Sequence, residues 1–139
     1  MSGPTATPVF TWPVRVYWED TDAGGVVYHA SYLRFFERAR TEWLRKRGIG
    51  QERVKTEHGL LFVVRDLAVE YVAAARLDDE LDVTIESVGR RSASITFVQC
   101  ILRRADAAVL AKARVRAACV DAEAFKPCRI PERLAEELA

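Results

Sequence analysis

The sequence has little that would staple, thread or strongly charge a protein. Its three cysteines, Cys100, Cys119 and Cys128, are odd in number and form no C-x-x-C pair. A disulfide scaffold or a zinc knuckle is therefore not expected. Charge of one sign is missing as well: 21 Lys and Arg face 20 Asp and Glu, for a formal net charge of +1. That balance argues against nucleic-acid binding, which needs a strongly basic face. No stretch approaches the apolar length needed to cross a bilayer. The opening MSGPTATPVF has neither the basic start nor the apolar run of a secretory signal. Repeats and low-complexity segments are absent too. No G-x-S-x-G elbow is present, and no His/Cys/carboxylate cluster has ligand spacing, so neither a metal nor another cofactor is expected. These absences point to a reduced, cytoplasmic setting.

What is present fits one domain spanning 1–139. Half the residues are hydrophobic, enough for a core without staples. Residues 1–10 read as a loose leader, followed by a short strand over roughly Val14 to Trp18 and a loop from Glu19 to Gly25. A helix is expected from about Ala30 to Arg47, with Ser31 as its N-cap and Gly48 as its stop. At 100° per residue, Tyr32, Leu33, Phe35, Phe36, Ala39, Trp43 and Leu44 share one broad arc, opposite Arg34, Arg38, Thr41, Glu42 and Arg45. Arg40 falls inside the apolar arc. A half-buried arginine needs a partner, and Glu37 is the nearest candidate.

Residues 51–58 suit a short second helix. After Gly59 the period becomes two: Leu61, Val63, Leu67, Val69 and Tyr71; then Leu81, Val83 and Ile85; Ala93, Ile95 and Phe97; and Val109 through Cys119. These read as half-buried antiparallel strands. Short turns at Gly89–Ser92 and Arg104–Ala107 fit hairpins. Pro131 opens a last helix over Glu132 to Leu138. Cys100 and Cys119 fall in the strands, where a buried thiol acts as a small hydrophobe. The order is one strand, one long helix, then four strands, which is an α+β pattern rather than a doubly wound parallel sheet.

Chemistry is concentrated in EDTDAGGVVYHASY, Glu19 to Tyr32, which joins the first strand to the long helix. The first turn of a helix carries unpaired N–H groups and the positive end of the dipole. Such a terminus can hold a developing oxyanion, and a carboxylate beside it can activate water or attack directly. Spacing alone leaves the plainer reading open, in which the acidic residues only shape the turn and cap the helix.

The run EDTDAGGVVYHASYLRFFERARTEWLRKRG resembles the 4-hydroxybenzoyl-CoA thioesterase family, and most closely its YbgC-type, Tol-Pal-associated acyl-CoA thioesterases. The likeness extends through FVVRDLAVEYVAAARLDDELDVTIESVGRRSASITF to CVDAEAFKPCRIP, covering about Val14 to Pro131. It implies a hot-dog fold, with a curved antiparallel sheet wrapped around one long helix. Homodimers, often paired into homotetramers, with active sites at the dimer interface, are implied too. By motif position Asp22 corresponds to the catalytic aspartate. His29 corresponds to the residue whose backbone N–H faces the thioester carbonyl, and the role of its imidazole stays open. Gly24 and Gly25 correspond to the turn that substrate approaches, and Tyr28 to an aromatic beside the acyl group.

Asp20 reads as a structural anchor. Arg90 and Arg91, or Lys126 and Arg129, are candidates for coenzyme A phosphates, each weighed against an ordinary solvated charge. The substrate implied is an acyl-CoA. Acyl chain, delivery by an acyl carrier protein and attachment to the inner membrane are not legible. Two rivals remain at this point, a hot-dog dehydratase and a non-catalytic acyl- or protein-binding scaffold.

Overall fold

A computed structural model describes residues 3–139. In chain order the elements are β1 (Phe10–Arg15), a 3₁₀ turn (Trp18–Asp20), α1 (Ser31–Lys46), α2 (Gln51–His58), β2 (Leu60–Tyr71), β3 (Glu80–Ile85), β4 (Ser87–Arg90), β5 (Ser94–Arg103), β6 (Val109–Asp121) and α3 (Glu132–Glu137). The sheet is antiparallel throughout, in the order β1-β3-β5-β6-β2, with β4 also paired to β5. β3 and β4 are two halves of one strand bent at Glu86, because both lie along β5 and the Glu86 N–H still bonds the Val98 carbonyl at 2.7 Å. The long helix packs on β1, β3 and β5. This is the sheet-around-helix arrangement that the resemblance implies.

The helix forms because its apolar residues recur at a 3.6 period. Tyr32, Phe35, Phe36, Ala39, Trp43 and Leu44 are buried, Leu33 is half-buried, and Arg34, Arg38 and Arg45 are exposed. Each fully buried large apolar side chain contributes roughly 1.5–3 kcal/mol, so this stripe anchors the helix. Gly48 takes φ +73° and its N–H bonds the Arg45 carbonyl, which ends α1 where a glycine stop is expected.

Several expectations are corrected. The first strand lies at Phe10–Arg15, not Val14–Trp18. It accepts Pro13 because β1 is an edge strand, where a missing N–H costs no ladder bond. The leader is tied down: Val9 N–H bonds the Ile85 carbonyl and Thr5 N–H bonds Glu86 Oε1. Met1 and Ser2 lie outside the described residues. Ser31 is the first helical residue rather than the N-cap, and its buried Oγ has no partner among the described residues. The strand after Gly59 does not keep one parity. A bulge at Arg65 shifts the β2–β6 register, so Phe62 before it and Val69 after it both pack on the core. β2 pairs with the last strand, β6, and not with its successor β3.

Arg40 is half-buried as expected, but its partner is not a carboxylate. Its Nη1 donates to Gln99 Oε1 at 3.0 Å. Gln99 is fully buried, and its Nε2 donates to the Phe36 carbonyl (3.1 Å) and the Thr84 carbonyl (3.3 Å). A buried polar side chain demands such partners.

Cys100 and Cys119 are buried, Cys128 is half-buried, and all three are free thiols. Burial pushes Cys100 up to about 11, helped by nearby Glu86. Burial, with Cys128 nearby, pushes Cys119 up to about 11 as well. Since the thiolate is the reactive form, folded protein at about pH 8 should titrate only Cys128 with a disulfide reagent, and all three thiols after denaturation. Rapid native reaction of Cys100 or Cys119 would contradict this core.

Candidate active site

After β1 the chain makes a tight reversal built on Asp20. This residue is buried, and its Oδ2 accepts the Tyr17 N–H at 2.8 Å while its carbonyl accepts the Tyr28 N–H at 2.8 Å. One residue thus ties both ends of the loop together, which is the anchoring role expected of it. Within the loop, Thr21 and Val27 form an antiparallel bridge. Asp22 N–H bonds the Val26 carbonyl and Gly25 N–H bonds the Asp22 carbonyl, both at 3.0 Å. The turn closes only because Gly25 takes φ +78°, a conformation that side chains resist.

Asp22 sits at the first corner of this turn. Its Oδ1 accepts the Gly24 N–H at 2.8 Å, and its Oδ2 has no partner among the described residues. A Cβ on Gly24 would lie 3.1 Å from that Oδ1. A side chain at position 24 would therefore push the carboxylate aside by a few tenths of an ångström.

The loop then runs into α1. Ser31 N–H bonds the Tyr28 carbonyl at 2.8 Å. The His29 and Ala30 N–H groups have no acceptor among the described residues. The neighbouring carbonyl is occupied, since Tyr71 Oη donates to the His29 carbonyl at 2.8 Å. Tyr71 stacks edge-on against buried Tyr32 with ring centroids 5.3 Å apart. Tyr32 Oη in turn accepts the Ala75 N–H, and the Ala75 carbonyl accepts the Val27 N–H. Two tyrosines thus fasten the loop to the end of β2. Burial, with Tyr32 as a lesser cause, raises the Tyr71 hydroxyl above its ordinary pKa, so it stays a donor across the neutral range. Sequence spacing could not reveal this clamp, because its halves are 42 residues apart.

Asp22, Gly24, Gly25, Tyr28 and His29 are all exposed in the single chain. The Tyr28 and His29 rings lie 4.5 Å apart. None of these residues lines the five main cavities among the described residues. The largest of those, about 540 Å³, is bordered by Arg90, Arg91 and Arg129, with Ser92 and Ile130 joined by a backbone bond of 2.7 Å. The fold therefore gathers three of the four basic residues singled out in the sequence. Lys126 does not line this cavity. Another cavity, of about 340 Å³, lies between α1 and β2.

Removing the anchor should loosen this loop. Asp20→Ala leaves the Tyr17 N–H without its acceptor and should lower stability by about 1–2 kcal/mol. Denaturant titration checks this, and an unchanged midpoint would deny Asp20 its role.

Residues 16–138 match the thioesterase-like superfamily. The chain is 49% identical over 131 residues to the acyl-CoA thioester hydrolase YbgC of Escherichia coli O6:H1, covering 94% of this chain and 96% of that protein. It is 50% identical over 125 residues to the acyl-CoA thioesterase YbgC of Haemophilus influenzae, covering 90% of each. Among solved structures, a probable thioesterase from Bartonella henselae matches with a TM-score of 0.80 and 36% identity, over 87% of this chain and 98% of that one. With its helix wrapped in an antiparallel sheet and the Asp22 loop at the helix start, the chain belongs to the thioesterase-like superfamily, and within it to the YbgC family of acyl-CoA thioesterases.

Proposed function

We propose that this chain hydrolyses acyl-CoA thioesters to the free acid and coenzyme A, with Asp22 as the catalytic carboxylate and the His29 N–H as the donor to the thioester carbonyl. The observation that carries this reading is the pair of unpartnered N–H groups, His29 and Ala30, at the start of a buried sixteen-residue helix. They stand in the same hydrogen-bonded loop as a carboxylate with a free oxygen. Helix termini favour developing negative charge, and one well-placed oxyanion donor is typically worth roughly 10²–10³ in rate.

In the general-base route, Asp22 takes a proton from water and the hydroxide oxygen bonds to the carbonyl carbon. The resulting oxyanion rests on the His29 N–H. Collapse breaks the C–S bond, and the leaving thiolate takes up the proton. In the nucleophilic route the Asp22 carboxylate attacks first, expels the thiolate and leaves an anhydride that water then cleaves. A single turnover in ¹⁸O-water separates the two, because only the anhydride route, with water adding at the aspartyl carbonyl, leaves label in the Asp22 peptide. Tyr28 flanks the acyl group, and Gly24 and Gly25 keep the approach open. Arg90 and Arg91, joined by Arg129, take coenzyme A phosphates by charge-assisted hydrogen bonds.

The exposure of Asp22 calls for a second copy of the chain. β2 pairs on one side only, runs for 12 residues and exposes Val64, Leu67 and Tyr71. An open edge of that length is a template for pairing. Two-fold antiparallel pairing lays the Tyr71 end of one β2 beside the Leu60 end of the other. That brings the loop of one copy over the α1–β2 cavity of its partner and covers the site. No helix among the described residues is long and apolar enough to cross a membrane, and three free thiols suit the reduced cytoplasm.

Asp22→Asn keeps the oxygen that accepts the Gly24 N–H, so folding should be little changed while thiol release falls roughly 10²–10⁴-fold. A variant at full rate would remove Asp22 from the reaction. Sedimentation should show a dimer or a tetramer. Leu67→Glu, which puts a charge on the β2 edge, should dissociate it and abolish activity together, whereas a fully active monomer would refute the shared site.

A further inference from the structure

The cavity between α1 and β2, about 340 Å³, has apolar walls from Leu44, Phe62, Ile95 and Phe97. A smaller cavity of about 140 Å³, reaching back to Leu33, shares Glu37, Arg40 and Val64 with it. Together they trace a cleft along α1 from Leu33 to Leu44, about 16 Å at the helical rise. Arg40 stands at its middle and belongs to both cavities. Its guanidinium lies over the Phe97 ring at 6.0 Å. Its one hydrogen bond among the described residues goes to Gln99, a neutral group. Gln99 cannot turn away, because its amide nitrogen is committed to the Phe36 and Thr84 carbonyls.

No carboxylate among the described residues comes within ion-pair distance of Arg40. Glu37, one turn earlier, acts on it only at longer range, and burial lowers the Arg40 pKa. A guanidinium carries five N–H donors. Here a half-buried planar fork with spare donors, and no carboxylate within ion-pair distance, stands in a cleft whose walls are mostly apolar, and a guanidinium with donors to spare is a ready partner for an anion.

Resting on the thioesterase reading, we infer that Arg40 is a specificity-determining residue that receives a carboxylate at the far end of the acyl group, so that the cleft takes monothioesters of dicarboxylic acids. The apolar walls hold the methylene stem. The guanidinium pairs with the terminal carboxylate, the geometry in which arginine binds most strongly. Glu37, on the rim of the same cleft, competes for Arg40 and weakens that pairing.

Thiol release is compared for matched pairs: the adipic acid monothioester against hexanoyl-CoA, and the suberic acid monothioester against octanoyl-CoA. The wild type should favour the carboxylated member of at least one pair by about tenfold in kcat/KM. Arg40→Met should bring that ratio to about one or below, and Glu37→Gln should raise it. A wild type that favours the plain members, or treats each pair alike because a partner's side chain fills the cleft, overturns the inference. So does an Arg40→Met protein with an unchanged ratio. If Arg40→Met does not fold, Glu37→Gln decides, since its exposed site tolerates the change: a raised ratio supports the inference and an unchanged one overturns it. Hydrolysis of plain acyl-CoAs without the preference sinks this inference alone. No hydrolysis of any acyl-CoA sinks the thioesterase reading and takes this inference with it.

Discussion

A sixteen-residue helix with six large or small apolar side chains buried on one broad arc needs more cover than a flat sheet gives. The sheet therefore curls around it, and the remaining features follow from that wrapping. β3 and β4 bend at Glu86 while both keep their pairing along β5. The bulge at Arg65 turns β2 so that Phe62 and Val69 both reach the core. Wrapping without closure leaves two edges. β1 is blunted by Pro13, while β2 stays long, exposed and apolar.

The same wrapping brings the start of the helix to the end of β2. Tyr71 and Tyr32 meet there, and through them the His29 carbonyl and the Ala75 peptide are held. The loop carrying Asp22 is pinned independently at its base by Asp20. A carboxylate, a glycine turn at positive φ and two N–H groups without acceptors among the described residues are thereby tied into one hydrogen-bonded unit.

Polar burial under the helix adds a second theme. Thr84, Gln99 and Arg40 run as a chain from the sheet to the cleft. Each member before Arg40 is satisfied, and the unspent donors accumulate at the cleft. A hydrogen-bond chain that ends in unspent charged donors is one that an anion can complete.

Much of this was legible in the residues themselves. The 3.6 period over Tyr32 to Leu44 marked the helix and its buried face, the glycine at 48 its end, and the period of two the later strands. DTDAGG beside YHASY marked the loop, because its residue types are those a turn before a helix demands. Local periodicity and turn chemistry are short-range properties, so a chain displays them directly. Strand order, the bulge that reversed parity in β2, the partner of Arg40, the gathering of Arg90, Arg91 and Arg129, and the Tyr71 clamp were decided only by tertiary structure. Each joins residues far apart in sequence through packing of the whole sheet on the helix, and no local pattern of side chains encodes which distant group will arrive.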